Sequence, residues 1–310
     1  MKRKVIQLAN STAVISLPSK WVKKWGVKKG DEIEVGEEEN RLVVQVDQAN
    51  TQKQEIICNL FGMAPRALMW TLTGVYKAGY DRIRFLYDES IQLENIHKIV
   101  SSLLDGFQII QEGEGYCVVE SVFTEQQQDF LPIFRKALHI ISMIGKSSSE
   151  CLKKGQLDQL KEVLALEETN NQLSNLCERL VNKNALIPQG VRSHFFVMAW
   201  HSQKICNYYR DICRYVLEKQ KLKLSKKLLE VYEATNQVIQ AYDEVYIRLD
   251  VPRMVELYVE SRKKIASIDA SQFSKDEQPI LFNLLFILNR VSDISTMLIG
   301  VHEAMRQGKT

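Results

Sequence analysis

The residues best suited to chemistry lie at the very start of the chain, and the chemistry they suit is the binding of phosphate. Lys2, Arg3, Lys4, Lys20, Lys23, Lys24, Lys28 and Lys29 are the only charged side chains ahead of Gly30, whereas Gly30–Asp47 carries seven acids and one arginine, Arg41. A patch of one sign attracts a phosphate backbone and releases its condensed counterions. The whole chain has a net charge of only +3, so this local split carries the argument. Catalytic patterns are missing: the sequence holds no GxxxxGK[ST], no GxSxG and no HExxH. His194 and His201 stand seven apart, on one face of a helix, a spacing that reads as structural. The expectation is a binding protein, not an enzyme.

Bulk composition sets the frame. With 310 residues, 45% of them hydrophobic and 25% charged, the chain reads as a folded protein of two or three domains. Its six cysteines (Cys58, Cys117, Cys151, Cys177, Cys206, Cys213) form no CxxC pair, which suits buried thiols in a reducing cytosol. The start of the sequence lacks the apolar core of a signal peptide. The apolar run Pro279–Leu288 is too short to cross a bilayer and contains Asn283. A cytoplasmic protein without membrane insertion is expected.

Three unlike segments follow one another. In 1–47, β-rich runs at Val5–Leu8 and Ala13–Leu17 flank the turn pair Asn10-Ser11; Pro18–Trp25 reads as a two-turn helix closed by Gly26. Two further strands meet at a Glu38–Arg41 hairpin tip. In 48–123, helical spacing at Leu60–Ala78 and Ile91–Leu104 alternates with strand signals at Asp81–Tyr87, Phe107–Gln111 and Tyr116–Val122. Segment 124–310 is almost free of strand signals. Phe130, Phe134, Ala137, Ile141 and Ile144 recur at helical intervals, as do Ile205, Tyr209, Ile212 and Val216, and Leu284, Leu288, Val291, Ser295 and Leu298. Breaks are expected at Lys154-Gly155, Asn184–Gly190, Leu249–Pro252 and Ala270–Asp276. Two pentads of similar character, Gln203-Lys-Ile-Cys-Asn207 and Asn289-Arg-Val-Ser-Asp293, suggest two three-helix bundles in tandem.

The stretch Arg3-Lys-Val-Ile-Gln-Leu-Ala-Asn-Ser-Thr-Ala-Val-Ile-Ser-Leu-Pro-Ser-Lys-Trp-Val, followed by Trp25-Gly-Val-Lys-Lys-Gly-Asp-Glu-Ile-Glu-Val, resembles the AbrB/SpoVT family of swapped-hairpin DNA-binding domains. Ala9 stands where that family usually places a glycine before Asn10. The resemblance implies an interleaved homodimer whose basic strands and turns face double-stranded DNA. It places Lys2, Arg3 and Lys4 against phosphates or groove edges, lets Asn10 and Ser11 add hydrogen bonds at the turn, and offers Lys20, Lys23 and Lys24 from the helix. For those three lysines a solvated basic face is the simpler reading. Trp21 and Trp25 are read as packing residues, since a duplex presents no open base for them to stack on.

Segment 124–310 resembles the PhoU-like regulators of phosphate uptake. The likeness rests on Leu131-Pro-Ile-Phe-Arg-Lys-Ala, Met143-Ile-Gly-Lys-Ser-Ser-Ser-Glu-Cys-Leu, the Glu167-Glu-Thr-Asn-Asn tract and the two pentads. Lys77-Ala-Gly-Tyr-Asp-Arg-Ile resembles the α+β connector of archaeal proteins that fuse the two modules. The resemblance implies a link to phosphate-responsive signalling, with phosphate-transport or signalling proteins as partners. An adaptor that grips a transporter or sensor kinase, its hairpin serving only for dimerisation, is the alternative. In that family the pentads supply paired carboxylates to multinuclear metal clusters. Here Gln203, Asn207 and Asn289 replace them. Glu167, Glu168, Asp211, Glu260 and Asp293 remain as weak metal candidates, and no cofactor is expected. The fold expected is thus an α+β multidomain chain: a swapped-hairpin domain at 1–47, a connector at 48–123 and tandem three-helix bundles at 124–310.

Overall fold

Short β-prone runs, each stopped by a polar turn or a glycine, set the pattern of the first part of the chain. The computed structural model describes residues 2–8, 12–38, 41–45, 53–122, 129–183, 187, 189–219, 222–248 and 250–307. These divide into two compact units, Met1–Gln54 and Glu55–Thr310. The connector and the helical segment, set apart by their sequence patterns, therefore share one unit.

In the first unit, β1 (Ile6–Leu8) pairs antiparallel with β2 (Thr12–Val14), Ile6 opposite Val14. Helix α1 (Ser19–Trp25) follows, and it stops where Gly26 turns left-handed at φ 66° and donates its N–H back to Val22 O. A second left-handed glycine, Gly30 at φ 98°, lets the chain reverse while Asp31 Oδ2 accepts the Lys28 amide at 2.7 Å. Strands β3 (Glu34–Glu38) and β4 (Arg41–Gln45) then form a second antiparallel pair. No residue of this unit whose side chain is described is buried. Ile6, Leu8, Val35 and Leu42 are each more than half exposed.

The second unit opens with β5 (Glu55–Asn59), α2 (Pro65–Lys77), β6 (Arg82–Leu86), α3 (Ser90–Leu103), β7 (Phe107–Gly113) and β8 (Tyr116–Ser121). The strands lie in the order β5-β6-β8-β7, with β5 parallel to β6 and the other pairs antiparallel. Ile83 and Phe85 alternate inward from β6 onto Leu68, Leu72 and Tyr76 of α2 and Ile96 and Val100 of α3, forming a core of their own. Six helices follow: α4 (Phe130–Lys154), α5 (Leu160–Asn182), α6 (Arg192–Lys219), α7 (Lys226–Arg248), α8 (Val251–Ala266) and α9 (Gln278–Gln307). They make two sets of three around one continuous core, in which α6 lies along α9 and α4 along α7. Gly145 on α4 makes the close approach possible, because a Cβ there would sit 2.7 Å from Asn236 Oδ1 and 2.8 Å from the Tyr209 hydroxyl. All six cysteines are free and buried. Helix α9 is the one helix among the described residues long and apolar enough to cross a membrane, and half of that stretch is buried in the protein's own core.

The sheet portion is welded to the helices by α5. Gln172, Asn175, Arg179 and Asn182 fall on one face of α5, and each donates to backbone carbonyls at the ends of α2 and α3. Those carbonyls are the groups a helix leaves unsatisfied at its C-terminus, where a cation also gains from the dipole. Arg179, 1% exposed, reaches Tyr76 O and Tyr80 O at 2.8 Å and Asp81 Oδ1 at 2.9 Å, with its guanidinium against the Phe107 ring. Lys183 holds the same carboxylate at 2.8 Å, and Lys77 pairs with buried Glu178 at 3.2 Å. Removing one member of a buried pair strands its partner. Arg179→Leu is expected to lower unfolding stability by about 3–5 kcal/mol. Lys153→Ala, which breaks the exposed Lys153–Glu233 pair, should cost less than about 1 kcal/mol. Urea denaturation of the two variants side by side checks the contrast.

Candidate functional site

The basic side chains that open the first unit have no ion-pair partner among the described residues. Lys2, Arg3 and Lys4 lie two to four residues before β1, outside the first strand on which the family resemblance put them, and all three are exposed. Lys20, Lys23 and Lys24 are exposed on α1, with Lys24 Nζ 5.0 Å from the Trp25 ring. Trp21 and Trp25 are half-buried, as is Val22 beside Trp21, a pattern that fits packing residues of an amphipathic helix. Asn10 and Ser11, the turn residues, lie outside the described residues. Exposed cations of this kind suit a long anion such as a phosphate backbone.

The acidic residues on the helices have other occupations. Glu167 is buried on α5, and its Oε1 accepts Arg210 Nη1 at 3.0 Å and Asn171 Nδ2 at 2.7 Å. Arg210 also holds Asp211 Oδ1, through Nε at 2.9 Å and Nη2 at 2.8 Å, and Asn207 Oδ1 at 3.1 Å. Gln203 donates to Asn171 Oδ1 at 3.2 Å. Thus Glu167, Asp211 and Asn207 come together around the Arg210 guanidinium, and Gln203 joins them through Asn171. Glu168 is exposed, Glu260 is held by Arg253 at 3.4 Å, Asp293 by Arg290 at 3.0 Å, and Asn289 accepts from Arg262 at 3.3 Å. Among the described residues, no three His, Cys, Asp or Glu side chains are grouped so as to hold a metal ion. The donor set does not fit a metal cluster, because its central cation is already an arginine. The sequence reading missed that role for Arg210; its place three residues after Asn207 and beside Asp211 was the available signal.

His194 and His201 each keep a buried Nδ1 without a hydrogen-bond partner among the described residues. Burial, then the Arg290 charge, lowers the pKa of His201 and favours its neutral form. An open groove of about 620 Å³, which the sequence did not announce, runs between α4 and α7. It is lined by Lys146, Gln237 and Gln240 among others, and carries the Lys153–Glu233 pair and Asp243, whose pKa is raised chiefly by burial.

Residues 6–50 match a family model described as antidote-toxin recognition MazE, bacterial antitoxin. The match covers both strand pairs and α1, ends before β5, and supports an AbrB/MazE-type domain at the N-terminus. No curated protein and no solved structure matches the chain.

The arginine-centred cluster yields its own test. Arg210→Leu leaves buried Glu167 without its cation, and unfolding stability should fall by about 2–3 kcal/mol. Adding Glu167→Leu should recover most of the loss, since the stranded charge is then gone. Denaturation midpoints of the single and double variants decide it; no recovery would mean that Arg210 stabilises the fold by other means.

Proposed function

We propose that this chain is a cytoplasmic, homodimeric DNA-binding regulator whose N-terminal unit grips duplex phosphates. One observation carries the proposal: the exposed cations Lys2, Arg3 and Lys4 adjoin an AbrB/MazE-type unit in which no described side chain is buried. A unit of this size cannot be held together without burial, so its apolar strands call for a second copy. Pairing two copies doubles the number of cations available to a duplex.

The helical part is the sensing or scaffold element, a PhoU-like module linked to phosphate status. Its support is the sequence resemblance and the placement of the two pentads on the third helix of each trio, α6 and α9, which lie against each other. The module works without a metal cluster, Arg210 standing at the centre of the polar group. Purified protein should accordingly carry no stoichiometric transition metal by elemental analysis. A stoichiometric metal would overturn that part.

The matched family's description, toxin recognition, favours a second reading in which the N-terminal unit binds a protein partner. A salt titration separates the two. Wild type should bind mixed genomic DNA fragments with an affinity that falls steeply as salt rises. Arg3→Ala/Lys4→Ala should flatten the log–log slope by about 0.9 for each phosphate no longer neutralised. If neither protein binds at low salt, the DNA reading falls and the protein-partner reading takes its place.

A further inference from the structure

Helix α8 carries two apolar faces, and the protein's own core uses one of them. Met254, Leu257 and Ser261 are buried against the neighbouring helices α7 and α9. Val255 and Val259 stand two residues to either side of Leu257, on the opposite side of the helix, 49% and 40% exposed. Pro252, also exposed, continues this outer stripe. An apolar stripe at helical spacing on an edge helix is the pattern of a helix–helix contact with one partner missing.

The charges beside the stripe say which partner. Glu256 and Lys263 lie seven residues apart, hence on the same flank. Glu256 meets only Arg253, three residues away on the exposed surface, and the Lys263 ammonium has no hydrogen bond or ion pair among the described residues. When two copies of α8 run antiparallel about Val259, Glu256 of each faces Lys263 of the other, twice. The pattern complements itself, and opposite charges at such flanking positions set partner and orientation.

We propose that α8 is a self-pairing helix: two copies of this chain meet through antiparallel α8 helices, with Val255 and Val259 in the seam and Glu256–Lys263 pairs beside it. Sixteen residues give a seam of about 24 Å. A contact that short is weak alone and is populated where another contact already joins the copies. In that respect it rests on the hairpin pairing proposed above.

Because the six native cysteines are buried, a Val259→Cys substitution in the full chain adds the one exposed thiol. On mild oxidation the Val259→Cys variant should form a disulfide-linked dimer on non-reducing gels, well beyond a Lys98→Cys control at an exposed position of α3. Adding Glu256→Lys should abolish the cross-link, and adding Lys263→Glu to that variant should restore it. Cross-linking no better than the control overturns the proposal. So does a loss that the charge swap fails to rescue. Failure of the hairpin pairing shows separately, as a molar mass by light scattering that does not change when Ile6 and Leu8 are replaced by lysine.

Discussion

A folded segment of some fifty residues in which no described side chain is buried lacks the term that normally holds a fold together. Removal of apolar surface from water is the main favourable contribution to folding, and here Ile6, Leu8, Val35 and Leu42 still face solvent. The strands are three to five residues long and sit in two separate pairs, and an isolated hairpin is marginal in water. The pairing of two copies and the DNA binding proposed for this protein depend on that deficit. It ties the structure of the N-terminal unit to association, and association to the presentation of its cations.

The second unit stands in contrast. Its sheet portion has a core, and α5 supplies the donors that finish α2 and α3. Arg179 is the centre of this seam: one guanidinium satisfies two carbonyls and a carboxylate and fills the space beside two aromatic rings. A charge so placed favours one docking of sheet on helix, because any other leaves a buried cation unpaired. The α+β elements from β5 to β8 consequently belong to the same compact unit as the six helices. Glu167, also on α5, holds Arg210 of α6, so α5 joins the polar group between the helices to the ends of α2 and α3 through direct hydrogen bonds.

Much of this is legible in the residues. Trp25-Gly26 announces the end of α1, the Gly113–Gly115 pair announces the β7–β8 turn, and Gly155 announces the end of α4, because in each case a glycine punctuates a periodic run. Strand β5 is hidden: Glu-Ile-Ile-Cys-Asn is short, lacks clean alternation and pairs in parallel with a strand beyond α2, so no local turn marks it. The break between α6 and α7 is also hidden, since lysines and leucines continue through it without glycine or proline. The α5 seam is illegible for another reason. Asn175, Arg179 and Asn182 at helical spacing look like a solvated face, and only the backbone carbonyls of distant helices reveal them as buried donors. Glu167 stands out in the sequence as part of a polar tract, but its partner Arg210 is forty-three residues away, and neither side chain names the other.

The central claim is that a second copy completes the N-terminal unit. Ile6 and Leu8 share one face of β1 and are more than half exposed within their own chain, so replacing them by lysine removes little that the single chain uses. The most direct test is the molar mass by light scattering of the full chain beside its Ile6→Lys/Leu8→Lys variant. The account predicts twice 35.8 kDa for the wild type and a fall toward the single-chain mass for the variant. An unchanged mass in the variant, or a wild type that is a single chain, would contradict it.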